Sequence, residues 1–316
     1  MRCAIFWKNT PAETKFSLQK QRYFKTRRFD AAFFCVLMYF AAVGFVLGYI
    51  IITEKESVGA MFFDSHLHTR FSADSEMTAP EALTAANKLG LGLVFTEHID
   101  FSYPGELDFV FSPEEYWAAY EPLRGDYLRL GVELGLVPGE TEKARQFLAR
   151  APFDEVIGSI HLVDGRDLYD PSGYKGREQK EMYASYLRLM AKMVRENPYI
   201  DVLGHIDYIA RYAPYERSEL CYEDYPQEVD EVFRALIETD TVLEINTRRF
   251  NDAGTVKNLR VLYQRYQKMG GEYITIGSDA HQSEAIGAHF SLAKEMAESC
   301  GLTPITFQAR QKTKIF

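Results

Sequence analysis

From residue 61 onward the chain alternates short apolar runs with longer amphipathic stretches. The runs predict strands over 61–67, 91–96, 128–134, 154–160, 200–205, 241–246 and 272–277. Their lengths suit strands, and the stretches between them repeat with helical spacing. Thr78-Ala-Pro-Glu81 has the spacing of a capping box and opens a helix that stops at Gly90. Ser112-Pro113 opens a second. Further helices are expected over 176–197, closed by Pro198, over 226–240, over 255–269, stopped by Gly270-Gly271, and over 289–300, ended by Gly301. Strands that alternate with helices imply a parallel sheet. Seven such units favour a barrel closed on itself over an open sheet.

The apolar runs end on chemistry. They deliver His66 and His68, then Glu97-His98, Glu133, His161, His205 with Asp207, Glu244 with Asn246, and Ser278-Asp279-Ala280-His281. Six of the seven histidines fall at these positions; only His289 does not, and it reads as structural. In a barrel the C-terminal strand ends form one mouth, where active sites are built. Strand alternation places Asp64, His66 and His68 on one face, which is costly toward an interior unless something binds it. Taken singly, each feature is weak: a lone buried histidine is more often hydrogen-bonded core, and a lone carboxylate an ion-pair partner. Together they point to a metal site, since neutral imidazole and carboxylate are ligands for zinc, iron and manganese.

Composition narrows the classes. The chain has 316 residues, 47% of them hydrophobic and 26% charged, as for a folded domain with a large core. A net charge of −9 disfavours adhesion to long nucleic acid but not a small anionic substrate, because bound metal reverses the local sign. Cys3, Cys35, Cys221 and Cys300 form no thiolate zinc pattern or disulfide framework, which suits a reducing compartment. The segment 1–60 stands apart. Its uncharged run from Ala31 to Ile52 is long enough to span a bilayer and follows Lys20, Arg22, Lys25, Arg27 and Arg28. Two expectations compete: a single-pass anchor with the N-terminus inside, or an over-extended gene start, with translation beginning at Met61. The second is preferred, leaving 61–316 as the domain that carries the candidate metal site.

The spaced set H-x-H, then Asp74 after five intervening residues, then Glu97-His98, Gly131-Val-Glu133, Gly158-Ser-Ile-His161, Gly204-His-Ile-Asp207 and Gly277-Ser-Asp-Ala-His281 resembles the polymerase and histidinol phosphatase (PHP) superfamily. The wording Phe153-Asp-Glu-Val-Ile-Gly-Ser-Ile-His161 and Gly204-His-Ile-Asp-Tyr-Ile-Ala-Arg211 is most similar to its histidinol-phosphatase branch. The resemblance implies a distorted (β/α)7 barrel with three divalent metal ions, zinc, iron or manganese, at the C-terminal mouth of the strands. His66, His68, Glu133 and Asp279 would hold one ion. Glu133 would bridge to a second held by His161 and His205. Asp74, His98 and His281 would hold the third. Glu133, Asp279 and His281 are the residues expected to carry catalysis by a metal-bridged hydroxide. Arg211 and Arg248, just beyond strand ends, are the candidates for binding phosphate, with Arg70 a weaker third. Asp207 or Glu97 would orient ligands, and Asp164 or Asp100 would meet the substrate's amine and imidazole. The expected reaction is hydrolysis of L-histidinol phosphate to L-histidinol and phosphate, a cytoplasmic step of histidine biosynthesis. The alternatives are a PHP-type phosphoesterase acting on nucleotides or nucleic-acid ends, and a noncatalytic metal-holding protein tethered to a membrane.

Overall fold

The computed structural model describes residues 61–315, so the apolar run 31–52 lies outside the described residues. Seven parallel strands form the frame: β1 (Phe63–Leu67), β2 (Gly92–Ile99), β3 (Leu128–Gly135), β4 (Val156–Ser159), β7 (Val202–Leu203), β8 (Val242–Asn246) and β9 (Tyr273–Gly277). Almost every strand residue is buried, which is what a parallel sheet covered on both faces requires. Between β4 and β7 a small separate hairpin, β5 (Leu162–Val163) and β6 (Arg166–Asp167), stands by itself.

Helices connect the strands: α1 (Ala79–Leu89), α2 (Pro113–Tyr120), α3 (Thr141–Leu148), α4 (Gln179–Glu196), α5 (Tyr208–Tyr212), α6 (Pro226–Thr239), α7 (Ala253–Lys268) and α8 (Phe290–Cys300). The expected caps are present. The Glu81 carboxylate accepts the Thr78 backbone N–H at 2.8 Å, and Ser112 accepts from Glu115 N–H at 3.3 Å. Gly90 ends α1 at φ 65°, a conformation glycine adopts without a Cβ penalty. Two of these helices were not expected. Helix α3 follows β3, and the short α5 carries Tyr208, Arg211 and Tyr212 over the mouth.

The barrel differs from the expected closed cylinder. The ladder runs β1-β2-β3-β4-β7-β8-β9 and then continues into β10 (Thr303–Gln308) and β11 (Gln311–Lys314), an antiparallel hairpin. β10 pairs with the first residues of β9, Tyr273 and Ile274. β1 makes its backbone hydrogen bonds to this part of the chain only past the end of β9. Asp279 N–H donates to His66 O at 2.7 Å and His68 N–H to Ala280 O at 2.8 Å. One edge of β9 is thus divided between the hairpin below and β1 above, so closure occurs at the mouth by two backbone bonds. The hairpin seals the floor: Ile305 and Phe307 pack on Ile157, Val202 and Val242, and Arg129 donates to Thr306 Oγ1 at 2.9 Å and Phe307 O at 2.8 Å.

β1 brings a second correction. Its register against β2 shifts between Asp64 and Leu67, an irregularity that interrupts simple alternation. Asp64 does not join His66 and His68 at the centre. Its carboxylate accepts from Ser278 N–H at 2.9 Å, Ser278 Oγ at 2.6 Å and Gly287 N–H at 2.9 Å, tying β1 to the segment that carries Asp279.

Candidate metal centre

The register between β2 and β3 sets His98 directly beside Glu133. Glu133 is fully buried at the hub. Its Oε2 lies 3.2 Å from His66 Nε2, 3.4 Å from His68 Nε2 and 2.9 Å from His98 Nδ1. Its Oε1 lies 2.8 Å from His205 Nε2 and 3.3 Å from His161 Nε2. Ser159 Oγ also donates to Oε1, at 2.6 Å. Burial pushes the Glu133 carboxyl up, but the imidazoles of His66, His98 and His161 outweigh it and hold it well below the usual carboxylate range. It stays an anion.

Asp279 stands 3.4 Å from His68 Nε2. Asp74 approaches His281 Nε2 at 3.1 Å and His98 Nε2 at 3.7 Å. The rings of His68 and His98 stack, with centroids 4.0 Å apart. All nine expected ligand residues therefore meet at one mouth.

The donor set fits metal on an observation of its own. His66 Nε2, His68 Nε2, His98 Nδ1 and Glu133 Oε2 are buried yet none makes a hydrogen bond, although they lie within 3.4 Å of one another's partners. Buried polar atoms are otherwise nearly always satisfied. These atoms aim at shared points between them, as ligands do. Groups of His, Asp and Glu with ligand atoms within 4.8 Å of one another include His66-His68-Glu133, Glu133-His161-His205 and His68-His98-His281. The residues support divalent metal binding.

A second ring of groups turns the imidazoles inward. Glu244 Oε1 takes His66 Nδ1 at 2.7 Å, and its Oε2 accepts His205 N–H at 2.6 Å. Asp100 takes His161 Nδ1 at 2.9 Å. Ser72 Oγ donates to Glu97 at 2.8 Å and sits 3.1 Å from His68 Nδ1, so His68 donates to Ser72 and keeps Nε2 free for the centre. Such partners fix the tautomer and orientation of metal-binding histidines. Glu97 further holds Thr69 through its N–H and hydroxyl, at 2.8 and 2.5 Å. Asp207 lies instead on Arg249, at 2.7 Å. Two glycines make room. A Cβ on Gly135 would fall on the Asp100 carboxylate, and one on Gly277 would strike Glu244 and His66.

The mouth opens into a cavity of about 400 Å³ whose lining includes both expected arginines. The Arg211 side chain is 7% exposed and donates to Asp279 Oδ2 at 2.6 Å and Asn246 Oδ1 at 3.0 Å. Its Nε has no partner. Arg248 donates to the Asp279 carbonyl and lies 3.2 Å from His281 Nδ1. Arg70 is exposed and does not line this cavity. Neither does Asp164, which is exposed on the β5–β6 turn and paired with Arg177 at 2.8 Å. The orienting role of Glu244 was missed, although its place two residues before Asn246 on β8 put it on the inward face. Tyr103, Asp167, Tyr208 and Tyr212 were missed as cavity wall; no periodic signal marks them.

Comparison with known proteins agrees with this geometry. The PHP domain family matches residues 64–248. The chain is 43% identical over 250 residues to a probable histidinol-phosphatase of Clostridium acetobutylicum, covering 79% of this chain and 98% of that one. It is 32% identical over 245 residues to a histidinol-phosphatase of Lactococcus lactis, covering 75% and 91%. The crystal structure of histidinol phosphate phosphatase from Lactococcus lactis in complex with zinc, L-histidinol and phosphate superimposes with a TM-score of 0.75 at 31% identity, over 80% of this chain and 99% of that one. With its seven-stranded frame and its ring of histidines about Glu133, the chain belongs to the PHP domain family.

Proposed function

We infer that this chain is a histidinol-phosphatase, hydrolysing L-histidinol phosphate to L-histidinol and phosphate with divalent metal. The observation that carries the reading is the buried carboxylate of Glu133 shared by five imidazoles, beneath a cavity that two arginines border. Two relatives that span most of this chain bear that enzyme's name.

His66, His68, Glu133 and Asp279 would hold one ion, Glu133, His161 and His205 a second, and Asp74, His98 and His281 a third. Zinc, iron and manganese all suit imidazole with carboxylate, and Asp74 adds a hard oxygen that favours iron or manganese at its position. When bound, the ions supply a water acidic enough to ionise near neutral pH and positive charge for the phosphoryl oxygens. The rest falls to the protein. Glu133 and Asp279 keep the ligand set anionic and fixed. His281 stands between Asp74 and Arg248 at the edge of the cavity. Arg211, with Nε unused, and Arg248 bind the phosphate oxygens. Glu244, Asp100 and Ser72 hold three imidazoles in their working tautomers. A substrate of amino-acid biosynthesis supports a cytoplasmic enzyme.

The test is phosphate release by residues 61–316, stripped with chelator and reloaded with manganese, iron or zinc in turn. Histidinol phosphate is compared with a nucleoside monophosphate and an aryl phosphate. A strong preference for histidinol phosphate is expected. Equal turnover of all three would leave a metal phosphoesterase and discard this substrate.

A further inference from the structure

The cavity has two unlike halves. Its floor is the imidazole and carboxylate cluster with Arg211 and Arg248. Its upper wall is aromatic and rises from the histidines along two series of ring contacts. On one side the His98 ring meets Phe109 at 5.4 Å, Phe109 meets Tyr103 at 4.8 Å, and Tyr103 Oη donates to Asp167 Oδ2 at 2.9 Å. On the other side the His205 and His161 rings meet Tyr208 at 4.8 and 5.0 Å, Tyr208 meets Tyr212 at 5.6 Å, and Tyr212 meets Tyr169 at 4.8 Å. Both series end where the hairpin does, at Asp167 in β6 and at Tyr169 two residues past it.

Asp167 is the carboxylate of this wall that the metal cluster does not use. Asp74 faces His281 and His98, Asp100 faces His161, and Asp279 faces His68 and Arg211. Asp167 touches none of these. It accepts one bond from Tyr103 and one from Tyr169 N–H at 2.9 Å, on different oxygens. An ionised carboxylate has about four acceptor positions, so both oxygens retain capacity toward a ligand. A negative, acceptor-only group at the far end of an aromatic slot selects a flat ring that donates an N–H. It also opposes alcohols that carry a second anionic group.

We propose that Asp167 is a specificity-determining residue that accepts the ring N–H of the substrate's imidazole, with the ring held between the Tyr103–Phe109 and Tyr169–Tyr212 sides of the slot. The proposal rests on the histidinol-phosphatase reading and deepens it. The phosphate sits at the floor, and the imidazole, at the opposite end of the molecule, reaches the hairpin. The bond is charge-assisted, and therefore stronger than a neutral one.

The experiment compares wild type with Asp167→Asn, which keeps the volume and an oxygen for Tyr103. The quantity read is the ratio of kcat/KM for histidinol phosphate to that for glycerol phosphate, which has neither ring nor cation. The ratio is expected to fall by about 10- to 100-fold, the range for a lost charged hydrogen bond, with the change in KM. A ratio that stays within twofold of wild type overturns the proposal. So does a fall shared equally by both substrates, which would make Asp167 a support for the hairpin. L-Histidinol binding by calorimetry to the same two proteins separates this result from failure of the functional reading. A wild-type enzyme without preference for histidinol phosphate defeats that reading, while equal affinity of the two proteins for L-histidinol defeats the role of Asp167.

Discussion

At the scale of single residues, two buried glutamates divide the work at the centre, and substitution separates them. Glu133 contacts five imidazoles directly. Glu244 contacts one imidazole and the backbone of another histidine, from behind. Glu244→Gln keeps an acceptor for His66 Nδ1 but loses the charge, and outer partners of metal-binding histidines typically contribute about 10- to 100-fold in affinity or activity. Metal content and phosphate release are expected to fall within that range. Glu133→Gln is expected to fall below it, losing metal and turnover together. Metal analysis after gel filtration and a phosphate assay check both. Glu133→Gln with full metal and turnover would remove it from the centre. The six histidines at strand ends were legible in the sequence because chemistry there departs from the apolar runs. Glu244 was visible by position, but its partner was not, since the 178-residue separation from His66 closes only in the fold.

At the scale of elements, the strands were legible and their lengths were not. β7 has two residues where the apolar run suggested six, because its ladder is limited to Val202 and Leu203 before the chain turns at Gly204 toward His205. The short α5 and the β10–β11 hairpin escaped notice because neither has enough periods to repeat a pattern. Asp64 was misplaced for a different reason: alternation assumes an unbroken register, and β1 has a shift. β1 also lies close against the end of β9, where Gly277 leaves room for His66 and Glu244. Gly277→Ala forces a methyl into this contact. Overpacking of this kind costs about 1–3 kcal/mol, so a lower urea midpoint is expected together with weakened metal binding. Unchanged stability and unchanged metal content would show that β1 and β9 yield freely at this point.

At the scale of the whole molecule, the barrel has a reactive mouth and a floor that the sequence did not reveal, and one buried acid lies between them. Glu155 is fully buried just before β4, and neither carboxylate oxygen has a hydrogen-bond partner. Burial pushes its carboxyl well above the ordinary value; Asp201 and Glu244 push the same way, and His66 and Arg129 oppose them. The unfolded chain exposes it with a pKa of about 4.3. A carboxyl whose folded value is raised contributes its full stability below that unfolded value. The contribution is lost as pH rises toward the folded value, because the unfolded state ionises first. Wild type should therefore lose stability from this group between pH 5 and pH 8. Glu155→Gln has nothing to ionise, so the stability of the variant relative to wild type is expected to improve from pH 5 to pH 8. Urea unfolding of both metal-loaded proteins at the two pH values reads the difference, and the pH dependence of metal binding, common to both, cancels. A difference that does not change with pH would mean that Glu155 ionises in the fold as readily as it does in water. A burial this deep without a partner argues against that outcome.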